Sequence, residues 1–283
     1  MVLPLWKMVK SALANLLQVR LTIFSTMVDK APRTKSILLP LVVVAVLIAM
    51  WTAVWKAGVF HESAFPSPLA VARGFGEEIG SGRLFNDLIT SLFRVSCGFV
   101  IAVATGIPMG LWMGQRLAAR LAFLPIINFF RNLSPLAWIP FAILWFGVGD
   151  ASPIFLIFLA AFFPVALATM AAVANIPTVY FRVARNYGLQ GFENLTQVAL
   201  PAIMPQVITT LRVTAGLSWL VVIAAEMIAG RDGLGFAVMD TRNGLRSDLL
   251  VVEMIVIGLI GVVIDRLLAR LTKIPSVRWG YER

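Results

Sequence analysis

The sequence predicts an all-α membrane protein with six transmembrane helices. Of its 283 residues, 59% are hydrophobic and only 13% are charged, whereas soluble domains are about one quarter charged. A helix needs about 20 predominantly apolar residues to cross a bilayer. Six segments meet this requirement, at residues 37–55, 88–113, 122–145, 153–173, 207–229 and 249–271.

The second and third predicted spans contain polar interruptions. Arg94 and Ser96 lie within the second span, and the third contains Arg131, Asn132 and the pair Ser134-Pro135. Proline removes a backbone donor and breaks or kinks a helix. We therefore expect the third span to be interrupted at Pro135.

The distribution of Lys and Arg predicts the orientation of the chain. An even number of spans places both termini on one side, and most Lys and Arg outside the spans fall on that side. The positive-inside rule makes this side the cytoplasm. We predict a cytoplasmic segment at 1–35, a membrane domain at 36–271 and a cytoplasmic tail at 272–283. Apolar residues of the first segment predict an amphipathic helix on the membrane surface: Leu5, Met8, Val9, Ala12, Leu16 and Leu17.

The sequence argues against catalysis by this chain. Cys97 is the one cysteine and His61 the one histidine, which excludes an internal disulfide, a thiol metal site and a histidine-based catalytic group. No Gly-x4-Gly-Lys-Ser/Thr motif for nucleotide phosphates occurs. The net charge of +10 is spread over short loops without a nucleic-acid-binding motif. We therefore predict no cofactor, no metal and no nucleic acid.

Residues 175–205 are largely polar although they lie between two apolar spans. We predict a short helix with Asn175 as N-cap, an apolar stripe that includes Tyr180, and a left-handed stop at Gly188. A second helix is predicted at 192–200, ending before Pro201. The alternative is an amphipathic hairpin that rests on the lipid surface.

This segment resembles the EAA loop of ABC-importer permeases. The family pattern is Glu-Ala-Ala, three residues, Gly, nine residues, Ile, one residue and Leu-Pro. Here Arg182-Val183-Ala184 precedes Gly188, and Val198-Ala199-Leu200-Pro201 follows at the required distance. Arg182, Val183 and Val198 depart from the pattern. The resemblance implies contact with an ATPase through Ala184, Arg185, Asn186, Tyr187, Gly188, Leu189, Gln190, Gly191, Phe192, Glu193, Leu200 and Pro201.

Further motifs resemble the nitrate/sulfonate/taurine permeases, whose members also carry nitrite, cyanate or bicarbonate. They include Phe65-Pro66-Ser67-Pro68, Pro135-Leu136-Ala137-Trp138-Ile139-Pro140 and Ala224-Ala225-Glu226-Met227. The resemblance implies a type I (MetI-like) permease in a bacterial inner membrane. It further implies a second permease copy, two ATP-binding subunits that bind ATP and Mg, and a periplasmic or lipid-anchored substrate-binding protein.

Charged residues inside the spans are the candidates for the translocation pathway. Arg131 lies about ten residues, and hence about 15 Å, into its span, and Arg94 and Glu226 lie at comparable depth. Such charges are kept where they pair or line a wet cavity. Two interpretations remain open: Glu226 neutralises Arg94 or Arg131, or the arginines contact an anion. The predicted pathway residues are Arg94, Arg131, Asn132, Ser134, Trp138 and Glu226.

The remaining polar residues have structural interpretations. Asp150 is expected to cap the fourth span, and Asp232, Asp240 and Arg246 fall in a loop between the last two spans. Two other function classes compete with the importer. An ion-coupled secondary transporter of a small anion should show inverted repeats, and none is evident. A membrane-embedded enzyme would need a nucleophile, base or metal cluster.

Overall fold

The computed structural model describes residues 33–61, 63–189 and 191–272. The described residues form helices, turns and loops, and none of them forms a β-strand. The predicted amphipathic helix and most of the predicted C-terminal tail lie outside the described residues, as does Gln190.

The described part of the first unit contains one long helix, α1, at Arg33–Lys56. Its stretch Leu38–Lys56 is apolar enough to cross a membrane, and none of its most apolar window is buried within the protein. This helix confirms the first predicted span.

The second unit is a bundle in which one central helix packs against two long neighbours. The central helix is α6 (Ala151–Ala174), and its neighbours are α3 (Arg83–Gln115) and α9 (Leu200–Ala229). The helices of the bundle are α2 (Pro68–Ser81), α3 (Arg83–Gln115), α4 (Leu117–Asn132), α5 (Ile139–Phe146), α6 (Ala151–Ala174), α7 (Thr178–Asn186), α8 (Gly191–Asn194), α9 (Leu200–Ala229), α10 (Leu234–Asn243) and α11 (Ser247–Leu271).

Five helical segments of the described chain are long and apolar enough to span a bilayer. They are Leu38–Lys56, Arg83–Gln115, Ala151–Ala174, Leu195–Ala229 and Ser247–Leu271. The third predicted span is not among them, because its helix is broken. The total of six transmembrane helices therefore stays a prediction.

The break in the third span lies where the sequence predicts it. Helix α4 ends at Asn132, Leu133 is extended, and a 3₁₀ turn at Pro135–Trp138 leads into α5. Ser134 has a ψ of 129°, which is the conformation that a following proline imposes. A single continuous helix over 122–145 is therefore excluded by Pro135 and its neighbour.

The prediction that a helix ends before Pro201 is wrong. A π-helical turn at Leu195–Ala199 leads directly into α9, and Pro201 occupies the first turn of α9. The π turn keeps the chain helical up to the proline, with the N–H of Leu200 donating to the carbonyl of Leu195. The fifth span consequently begins at Leu195 instead of residue 207.

Helices α3 and α6 approach each other closely because α3 presents small residues to α6. Gly98, Gly106, Gly110 and Gly114 recur at intervals of four or eight residues along α3. A Cβ atom built on Gly110 would lie 2.5 Å from the carbonyl oxygen of Ala166 and 2.6 Å from Thr169 Cβ. Close contact of backbones through small residues is a main source of helix association in membranes.

We predict that Gly110→Ala destabilises the protein by about 1–3 kcal/mol, because the added methyl group overpacks the α3–α6 contact. Heat unfolding of the full chain in lipid nanodiscs measures the effect. Gly76→Ala is the matched control, since a Cβ at Gly76 meets nothing within 4 Å. Equal melting temperatures for the two variants would contradict the prediction.

Candidate functional site

The segment between α6 and α9 contains the predicted coupling residues, and its first helix starts later than predicted. Helix α7 begins at Thr178 with Pro177 at the N-cap position, while Asn175 caps the C-terminus of α6. The N–H of Asn175 donates to the carbonyl of Ala171. The prediction of Asn175 as an N-cap is therefore wrong, because α6 extends through Ala174.

The predicted stop at Gly188 is confirmed. Gly188 has a φ of +78°, a left-handed conformation that glycine adopts without strain. Its N–H donates to Arg185 O at 3.0 Å, and the N–H of Leu189 donates to Ala184 O at 3.0 Å. These two bonds form a Schellman motif, which satisfies the last carbonyl groups of the helix. Gly191 is also left-handed, so the chain turns sharply before α8.

Helix α7 exposes an apolar face. Tyr187 is 83% exposed, Tyr180 and Val183 are about half exposed, and Ala184 is buried on the inner side. The exposed face borders a groove of about 870 Å³ between α7 and the start of α9. Among the other predicted coupling residues, Leu189 and Pro201 line the groove, and Arg185, Asn186, Gly188, Gly191 and Glu193 are exposed.

The base of this segment is anchored in the bundle core. Leu200 packs on a buried apolar cluster that contains Leu111 of α3, Val173 of α6 and Ile203 of α9. The base of the segment therefore contacts three long helices at once.

Arg94 of α3 is the centre of a buried charge network. Its side chain is 1% exposed, and Glu226 of α9 is fully buried. The Nη1 of Arg94 donates to Glu226 Oε1 at 3.0 Å and to the backbone oxygen of Asp232 at 2.8 Å. Arg94 Nε donates to Asp150 Oδ1 at 2.7 Å, and Nη2 donates to the Asp232 carboxylate. One guanidinium thus binds three carboxylates.

Glu226 has further donors around it. Ser91 Oγ lies 2.8 and 2.9 Å from the two carboxylate oxygens of Glu226, and the N–H of Gly235 donates to Oε2 at 3.0 Å. Gly233 is left-handed, and a Cβ built there would lie 2.6 Å from Glu226 Cδ. The α9–α10 turn therefore needs glycine at position 233 in order to pass this close to the Glu226 carboxylate.

Glu226 pairs with Arg94, and no ion pair joins it to Arg131 among the described residues. The structure also corrects the prediction for Asp150, which makes no cap hydrogen bond and binds Arg94 instead. Ser91 and Asp232 were not predicted as site residues. In the sequence, only the glycines next to Asp150 and Asp232 indicate these contacts. The residues that bind Arg94 lie up to 138 positions away from it along the chain.

Arg131 lies apart from this network. It is exposed in the last turn of α4 and has no ion pair within the described residues. It lines a cavity of about 290 Å³ together with Trp138 and Phe163, and a second cavity of about 510 Å³. Polar lining of the second cavity comes from Asn128, Thr209, Thr210 and Thr214, and neither cavity is lined by a carboxylate.

The other two predicted pathway residues do not line these cavities. Asn132 and Ser134 are exposed at the helix break, while Leu133 lines the smaller cavity. Trp138 packs among aromatic rings, with its centroid 6.1 Å from Phe130 and 6.0 Å from Phe141. The structure therefore brings together Arg131 and Trp138 from the predicted set.

We predict that Arg94→Met lowers the free energy of unfolding by about 3–5 kcal/mol, because it leaves the Glu226 carboxylate buried without its cation. The double variant Arg94→Met/Glu226→Gln should recover most of this loss, since it removes both charges. Heat unfolding in nanodiscs gives the comparison. Arg242→Met replaces an exposed arginine and is the control. A double variant no more stable than the single one would show that the stranded carboxylate is not the cause.

Comparison with known proteins identifies the family. Residues 106–274 match the family described as binding-protein-dependent transport system inner membrane component. The taurine transport system permease TauC of Escherichia coli is 32% identical over 243 residues, covering 83% of this chain and 87% of TauC. The nitrate import permease NrtB of Leptolyngbya laminosa is 35% identical over 195 residues, covering 69% of each chain.

The fold has a counterpart among solved structures. An inward-facing structure of the methionine ABC transporter MetNI matches 73% of this chain and 98% of its own chain, with a TM-score of 0.50 and 19% sequence identity. This likeness supports the type I permease fold. The chain belongs to the family of binding-protein-dependent transport system inner membrane components, and it is a multi-pass permease component of an ABC importer.

Proposed function

We propose that this chain is one of two permease copies in a bacterial inner-membrane importer that moves a small anion or zwitterion into the cytoplasm. Two separate subunits bind and hydrolyse ATP with Mg, and a periplasmic or lipid-anchored binding protein delivers the substrate. This chain itself holds no cofactor. The names of relatives that transport taurine and import nitrate support the substrate class.

The observation that carries the proposal is the segment between α6 and α9. It presents a large exposed apolar surface next to a groove of about 870 Å³. Exposed contiguous apolar patches typically mark interaction sites. Because the segment is also rich in exposed arginine and anchored in the core, it suits a cytoplasmic contact that transmits movement. We propose that the ATP-binding subunit docks there.

The proposed substrate path runs past Arg131. An unpaired guanidinium at membrane depth is costly unless it meets water or an anion. The two cavities beside it offer that space, and the Asn128 amide can donate hydrogen bonds to anion oxygens. The absence of lining carboxylates from both cavities also disfavours cations.

The contrast with Arg94 supports this assignment. Arg94 is saturated by three carboxylates and is fully buried. A guanidinium in that state has no donors left for a passing anion. We therefore propose that Arg94 and Glu226 hold the helices together and that Arg131 attracts the substrate.

Tyr187→Ala tests the coupling surface. We expect about 30-fold weaker binding of the ATP-binding subunit, since a buried interface tyrosine contributes about 2 kcal/mol. Binding is measured between the purified permease in nanodiscs and the isolated ATP-binding subunit. Ile89→Ala, which removes a residue 64% exposed on α3, is the matched control. Unchanged affinity of the Tyr187 variant would refute docking at this surface.

Arg131→Gln tests the path. Uptake of the transported anion into proteoliposomes should fall at least about tenfold, the rate equivalent of 1.4 kcal/mol. Stability should change little, because Arg131 is exposed and unpaired among the described residues. Arg116→Gln, which replaces another exposed arginine, serves as the control, and Arg131→Lys should retain part of the uptake. Full uptake by the Gln variant would remove Arg131 from the path.

A further inference from the structure

A polar cavity of about 440 Å³ lies at the end of the bundle opposite the coupling segment. It is formed where the C-terminus of α2, the start of α3, the end of α10 and the start of α11 meet. Five charged side chains line it, namely Glu77, Glu78, Arg83, Asp240 and Arg246. Its volume is within the range of binding pockets in proteins, about 300–1,000 Å³.

The two arginines of the cavity are already neutralised. Arg83 Nη2 lies 2.6 Å from Asp240 Oδ2. Arg246 Nη2 lies 2.7 Å from Glu77 Oε2 and 3.0 Å from Asp248 Oδ2. The hydrogen bond from Arg246 holds the pKa of Glu77 below its usual range. Neither arginine is therefore left to attract an anion.

Glu78 is the exception in the cavity. It is only 4% exposed, and its Oε2 has no hydrogen-bond partner within the described residues. Burial raises the pKa of Glu78, and the nearby charges of Glu77 and Asp87 act in the same direction. The cavity thus contains a buried carboxylate oxygen without a donor.

A second buried acidic side chain lies near Glu78. Glu253 of α11 is fully buried, and neither of its carboxylate oxygens has a partner in the described part of the chain. Glu253 interacts electrostatically with Glu78 and Asp87. Six carboxylates therefore surround two arginines: Glu77, Glu78, Asp87, Asp240, Asp248 and Glu253.

This imbalance favours a cationic occupant. A buried ion without a partner costs several kcal/mol, and a cation that enters offsets that cost. No group of three or more His, Cys, Asp or Glu residues in the described chain is arranged to hold a metal ion. A Lys or Arg side chain fits the site better, because its charged end can donate to Glu78 while its apolar stem packs on Leu249 at the rim.

We propose that this cavity is a docking site for a Lys or Arg side chain of the soluble substrate-binding protein. The inference rests on the proposed function, which places this end of the bundle outside the cytoplasm. Charge pairs of this kind mainly provide orientation and partner choice at an interface. The cavity would fix how the binding protein sits over the bundle.

The experiment uses capped peptides as probes on the full chain in lipid nanodiscs. Binding of Gly-Lys-Gly and Gly-Arg-Gly is compared with Gly-norleucine-Gly, which has a similar stem without charge. We expect the basic peptides to bind at least about tenfold more tightly than the norleucine peptide. Glu78→Gln should remove this preference, and Glu78→Asp should keep much of it. Asp265→Asn, an exposed acid near the opposite end of α11, should leave it unchanged.

Each alternative outcome overturns the proposal. Equal binding of basic and norleucine peptides to the unaltered chain excludes a cation site, and this comparison needs no variant to fold. Retained preference in Glu78→Gln places the cation elsewhere. Absence of peptide binding excludes a docking site for basic side chains at this cavity. None of these results depends on uptake, so they are separate from the tests of Tyr187 and Arg131.

Discussion

The contact between Arg94 and Glu226 is the interaction on which the arrangement of the bundle depends. A buried guanidinium on α3 meets a buried carboxylate on α9, and two further carboxylates reach it from the turn before α6 and the turn after α9. Each of these charges would be expensive in an apolar interior without the others. Because these charged groups neutralise one another, they hold α3, α6 and α9 together at one end of the bundle. The backbone donors of the α9–α10 turn make that arrangement dependent on glycine at position 233.

Packing fixes the same three helices along the rest of their length. The glycines of α3 bring its backbone into close contact with α6. At the other end, the apolar cluster around Leu111, Val173 and Ile203 holds the base of the α7–α8 segment. A load applied to this segment therefore reaches helices that are locked together at the far end by charge. We propose that such a body tilts as a unit when the ATP-binding subunit moves the segment.

The two arginines within the membrane domain illustrate how environment separates residues of the same type. Arg94 is buried and binds three carboxylates, so its charge serves to hold the helices together. Arg131 sits at a helix break beside two cavities without carboxylates, so its donors are available. The broken helix has a direct part in this difference. Because Pro135 and its neighbour interrupt the third span, Arg131 lies in the last turn of α4, where its side chain lines the two cavities.

The sequence by itself determined the membrane class, the apolar spans, the break at Pro135, the stop at Gly188 and the family. These features are local, since composition, proline chemistry and left-handed glycine act over a few residues. Only the tertiary structure decided that Glu226 pairs with Arg94, that Asp150 and Asp232 join them, and that Arg131 stays apart. It also showed that α9 runs through Pro201, because a preceding π turn places the proline in the first helical turn. Pairing between residues more than 50 positions apart depends on how helices pack, and packing follows from close contacts, such as those at Gly110 and Gly233, that no short sequence pattern encodes.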